Sequence, residues 1–116
     1  MIEFPVEELF GPICADPEDG ARLFEMVFTE LSAGNAVCLN FERVELVASA
    51  FLNSAIGCLY KSFTPDQLAG RLTWRGLDAT DLAVVNLVVQ NAIRFFSADT
   101  EERARLSATS SHLIES

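Results

Sequence analysis

The stretch Ala36–Phe63, AVCLNFERVELVASAFLNSAIGCLYKSF, holds the change from strand to helix on which the fold turns. Ala36 to Phe41 is an apolar run of strand length, opened by the turn pair Gly34-Asn35 and closed by the polar pair Glu42-Arg43. A loop over Val44–Ala48 then delivers Ser49 ahead of Phe51, Leu52, Ala55, Ile56, Leu59 and Phe63, whose spacing predicts a helix. Ser49 is expected to serve as its N-cap, a hydroxyl beside the end of a buried strand, where side chains face solvent and partners.

Upstream, Ile2, Phe4 and Val6 alternate against Glu3 and Pro5, which predicts an edge strand because Pro5 has no N–H to donate. Gly11-Pro12 marks a turn before a second extended piece, so the N-terminus is expected to form a hairpin. Asp16-Pro17-Glu18-Asp19 is a helix start with an N-cap acid, proline at the first position and acids that favour the dipole. Leu23, Phe24, Val27, Phe28 and Leu31 give that helix one apolar face as far as about Ser32, and Gly34 stops it. Gly20 in its first turns implies close packing or fraying.

Downstream, Thr64-Pro65-Asp66-Gln67 reads as a capping box on a short helix, and Leu72 to Arg75 as a strand between Gly70 and Gly76. Asp78 caps a long helix expected to end near Phe96, with apolar residues well beyond one stripe, so it is expected to be covered on more than one side. A separate charged helix is expected from Asp99 to about Ala108, and a frayed tail from about Ser107. Strands and helices alternating with short connections predict one α/β (α+β) domain over residues 1–116, a mixed sheet of four or five strands with helices mainly on one face.

The net charge of -9 and the scattered basic residues exclude general nucleic-acid binding and attraction to an anionic membrane surface. No apolar run approaches the ~20 residues of a membrane span, no signal-peptide pattern opens the chain, and a cytoplasmic location is expected. Cys14, Cys38 and Cys58 form no metal-binding pair and are expected to be reduced and mostly buried, while His112 stands alone in the polar tail. No metal and no cofactor are expected. Glycine-rich phosphate loops are missing, and Glu42 and Glu45 have no histidine near them. Ser54 and Cys58 share a helical face and are read as packing, so an enzyme or small-ligand carrier built on them ranks last.

The string LNFERVELVASAFLNSAIG, with Phe10-Gly11, Asn40-Phe41-Glu42-Arg43-Val44 and Ser49-Ala50-Phe51, resembles a STAS-like domain family of unknown function, related to the STAS domains of bacterial anti-sigma factor antagonists. The likeness spans roughly residues 9 to 97. It implies a non-enzymatic regulatory module that binds a protein partner, such as a GHKL-type ATPase or serine kinase, and that is switched by phosphorylation of a hydroxyl at the helix start. The usual Asp-Ser-Ser-Gly reads Ala48-Ser49-Ala50-Phe51 here, so Ser49 is the available acceptor and the usual acceptor position is alanine. On this basis Glu45, Ser49 and Asn53 are the expected partner-binding residues. The alternative is a homo-oligomerisation module using the apolar helix 79–96.

Overall fold

A computed structural model describes the backbone of residues 1–109 and the side chains of residues 1–96; His112 lies outside the described residues, as does most of the expected frayed tail. In chain order the elements are β1 (Ile2–Pro5), α1 (Val6–Phe10), β2 (Ile13–Cys14), α2 (Pro17–Ser32), β3 (Val37–Asn40) and β4 (Leu46–Val47). They continue as α3 (Ser49–Ala55), a 3-10 helix (Gly57–Lys61), α4 (Pro65–Leu68), β5 (Leu72–Arg75) and α5 (Ala79–Thr109).

The α/β class is as expected, and so is the layering. β3 lies at the centre of a three-stranded sheet in the order β1-β3-β5, and β2 pairs with β4 in a separate two-stranded ribbon. Every pairing is parallel, where a single mixed sheet was expected. The reason is that each connection within the main sheet carries a helix, and a parallel partner can be reached only by such a crossing. The expected N-terminal hairpin does not form. Pro5 ends β1, Val6–Phe10 coils into α1 around the fully buried Val6, and β2 then leaves for the other sheet.

Register aligns Ile2, Val37 and Leu72 in one row and Phe4, Leu39 and Trp74 two residues on, both on one face of the main sheet. That face merges with Leu23, Val27 and Leu31 of α2 and with Leu52 and Ala55 of α3 into one core. Burying each such side chain contributes roughly 1.5–3 kcal/mol. The alternate residues Glu3, Cys38, Thr73, Asn40 and Arg75 occupy the opposite face, which the helices leave to polar groups.

Local signals set the helix starts. The Glu18 N–H donates to Asp16 Oδ1 at 2.9 Å, and Thr64 and Gln67 exchange both hydrogen bonds of a capping box. The Asp81 N–H donates to Asp78 Oδ1 at 2.8 Å, while burial and then the Asp78 charge raise the Asp81 carboxyl above its ordinary pKa.

Two helix ends depart from expectation. The helix predicted to run to Phe63 stops at Ala55 and tightens into the 3-10 turn, where buried Gly57 lies against Val88 and Ala92 of α5. The break expected between Phe96 and Asp99 is absent, and α5 continues to Thr109 as one helix. Nor, among its described residues, is α5 covered on more than one side: Val85, Val88 and Ala92 are buried in a single stripe, whereas Leu87 and Phe95 are 58% and 65% exposed. Among the described residues, no helix is long and apolar enough to cross a membrane.

Candidate functional site

The carboxyl ends of β1, β3 and β5 gather the loops on which function was expected. A loop that begins at Phe41 is fixed at both ends. The Val44 N–H donates to the Phe41 carbonyl at 3.0 Å, closing a tight turn with Arg43 at φ 69, a left-handed conformation usually given to glycine or asparagine. Phe41 is buried and Val44 packs on the core, so the Phe-x-x-Val pattern is this turn clamped by two apolar ends. The Glu42 N–H donates to Asn40 Oδ1 at 2.9 Å, and a Cβ on Gly76 would come within 2.6 Å of the Glu42 nitrogen. The loop after β5 therefore lies directly against the loop after β3.

Arg75 extends this join across the polar face of the main sheet. Its guanidinium donates to Glu3 and to Glu42, both at 2.8 Å, and Asn40 Nδ2 donates to the same Glu3 carboxylate at 2.9 Å. The hydrogen bond from Arg75 to Glu3, followed by that carboxylate's charge, raises the guanidinium above its ordinary pKa. This cluster escaped the sequence reading, although the alternation of Glu3 against Phe4 and of Arg75 against Trp74 signalled its face.

Past the turn, the Glu45 and Leu46 N–H groups both donate to the Pro12 carbonyl, and the Ala48 N–H donates to the Cys14 carbonyl at 2.9 Å. These bonds zip β4, which lies inside what was expected to be plain loop, to β2. They also correct the helix start. Ala48, held extended by the last ladder bond, is the N-cap of α3, and Ser49 is its first helical residue rather than the cap. The Phe10 ring meets the Phe51 ring edge-on, with centroids 5.9 Å apart, so the Phe-Gly pair and the phenylalanine that opens α3 are in contact.

The three residues expected to bind a partner are all exposed. Glu45 stands at the entry to β4, Ser49 at the start of α3, and Asn53 one turn further on the same side. Asn53 also borders an open groove of about 420 Å³, together with Gly57, Cys58, Asn91 and Phe95. Ser54 and Cys58 do not share a face. Ser54 is half-buried at the contact with Gly20, whereas Cys58 lies beyond the end of α3 and is exposed in that groove. Cys14 and Cys38 are buried free thiols, and burial, with the Asp19 and Glu7 charges adding, pushes the Cys14 thiol up to about 11.

The sequence reading also missed an apolar pair at this end. Ile13 and Leu46 are register partners in the β2–β4 ribbon and are 51% and 49% exposed, while their neighbours Cys14 and Val47 point into the core. Two-residue strands have no period to read, so nothing in the sequence marked the pairing. Among the described residues, no three His, Cys, Asp or Glu side chains come together as a metal site. The arrangement presents exposed side chains on a hydrogen-bonded backbone, with a cluster of charged groups at the strand ends.

No curated protein and no solved structure matches the chain. A protein-family model described as a STAS-like domain of unknown function (DUF4325) matches residues 19–82, from the first turn of α2 to the first turn of α5. That span covers more than half of the sequence and contains β3, the Phe-x-x-Val turn, β4 and α3, so the chain belongs to this STAS-like family of unknown function.

Proposed function

We propose that this domain is a non-enzymatic regulatory module that docks a protein partner through the Glu45–Asn53 segment. The supporting observation is the state of that segment: Glu45, Ser49 and Asn53 are exposed, while the backbone between them is tied to β2 by the Pro12 and Cys14 carbonyls. A surface already ordered before binding loses less entropy on association, which favours recognition. The resemblance to the STAS domains of anti-sigma factor antagonists makes a GHKL-type ATPase or serine kinase the partner class to test. Calorimetric titration with a GHKL-type ATPase should show binding that Ser49→Glu and Asn53→Arg each weaken by about tenfold or more. Unchanged affinity in both variants would remove this surface from consideration. Ser49 is also the proposed phosphoacceptor; mass spectrometry after incubation with the kinase and ATP should place the phosphate there, and phosphate found only elsewhere rejects the assignment.

A second reading is favoured by one observation, the exposure of Leu82, Leu87 and Phe95 along α5. Under it α5 pairs with another copy and the domain is an oligomerisation unit. Light scattering that gives a monomer mass at high protein concentration rejects this reading.

A further inference from the structure

We infer that the β2–β4 ribbon is the centre of a docking surface for a cationic, apolar protein segment: a large apolar side chain seats on Ile13 and Leu46, and flanking lysines or arginines meet the carboxylates around them. This rests on the reading of the Glu45–Asn53 end as the docking end and gives that end a chemistry. Single exposed apolar side chains are ordinary, but two in register on adjacent strands form one continuous patch. An exposed ribbon is normally guarded by charged side chains such as lysine, and here its outward positions are isoleucine and leucine.

The rim around the patch is acidic. Glu45 directly precedes Leu46, and its N–H is bonded to Pro12, the neighbour of Ile13. Asp16, three residues after Ile13, caps α2, and Glu7 and Asp19 lie close enough to Cys14 for their charges to act on its thiol; Glu7 and Glu8 share Arg43, at 3.8 and 3.7 Å, and Asp19 holds Arg22 at 2.8 Å. The two arginines are thus engaged by the domain's own acids, and the rim keeps a negative excess in a chain of net charge -9. A second copy would bring an identical acidic rim against this one. Nucleic acid and anionic lipid are repelled by the same field. A basic segment with an apolar anchor complements both the patch and its rim.

The test uses the full chain and short fluorescent peptides of three compositions, lysine with leucine, lysine with serine, and glutamate with leucine, followed by anisotropy. The lysine–leucine peptide should bind at least about tenfold more tightly than the other two, with affinity falling as salt rises. Ile13→Asn with Leu46→Asn should remove that preference at unchanged net charge, and Glu7→Gln with Glu45→Gln should flatten the salt dependence. Ile13, Leu46 and Glu45 are exposed and Glu7 is half-buried, and an unchanged circular dichroism spectrum confirms that both variants fold. Equal binding of the lysine–serine peptide, or full binding by the Ile13/Leu46 variant, overturns the inference. Loss of ATPase binding in the Ser49 and Asn53 variants alongside either of those results leaves the docking reading intact and rejects only this chemistry. Selective peptide binding through Ile13 and Leu46 with no effect of the Ser49 and Asn53 variants on the ATPase does the reverse.

Discussion

Gly20 of α2 lies directly against the backbone of Phe51 in α3. A β-carbon at position 20 would overlap the Phe51 carbonyl oxygen and approach the Ser54 Cβ to 2.9 Å. Replacing a helical glycine by alanine ordinarily stabilises a helix by about 1 kcal/mol, and here overpacking acts in the opposite sense at roughly 1–3 kcal/mol. Gly20→Ala should therefore lower the melting temperature. A rise would show that the two helices do not meet this closely.

Arg43 adopts a left-handed conformation at φ 69. For a residue with a side chain this costs about 1–2 kcal/mol, partly offset in a glycine variant by the extra entropy of its unfolded chain. Its contacts to Glu7 and Glu8, at 3.8 and 3.7 Å, are exposed and contribute little. Urea denaturation should rank Arg43→Gly as stable as the parent or more so, and Arg43→Val clearly less stable, because a β-branched side chain tolerates this region poorly. Equal midpoints for all three proteins would contradict the turn.

Burial, then the charges of Asp19 and Glu7, raises the Cys14 thiol from 9.0 to about 11. The fold therefore holds the neutral thiol while the unfolded chain ionises near 9.0. The corresponding stability is complete below that pH and is lost as pH rises toward 11, a decline on the order of 2–3 kcal/mol. Tyr60, also raised by burial, adds a loss of the same sign at higher pH. Denaturation midpoints should fall between about pH 8 and pH 10, and more shallowly in Cys14→Ala. A parallel decline in both proteins would remove Cys14 as its source.

Thiol accessibility gives an independent check on the layering. Cys58 is exposed whereas Cys14 and Cys38 are buried. A chromogenic disulfide reagent should label Cys58 rapidly in the native protein and the other two only on unfolding. Rapid labelling of Cys38 would mean that the polar face of the main sheet is open to the level of its strands.

What could be read ahead of the structure was local. Asp16-Pro17 and Thr64-Pro65 fix helix starts within a few residues of themselves, so α2 and α4 were found nearly to the residue. β3 and β5 were visible as apolar or alternating runs between turn residues. What failed depended on partners distant in sequence. α1 forms where a strand pattern continued into Val6, and β4 exists only because Pro12 and Cys14 offer carbonyls to it. The N-cap shift from Ser49 to Ala48 has the same origin, since a ladder bond from another element decides where α3 begins. The expected segment is exposed where the sequence put it, while its floor, the β2–β4 ribbon, was not foreseen.

The parallel sheet also dictates an order of events during synthesis. Ile2 meets Val37 and Val37 meets Leu72, a separation of 35 residues in each case, with no hairpin to form sooner. On leaving the ribosome, β1 has no partner until α2 and then β3 have followed it, and the central strand waits as long again for its second edge. Contacts this distant slow folding. α2, with its own cap and its own apolar face, is the early structure on which the nascent chain can wait.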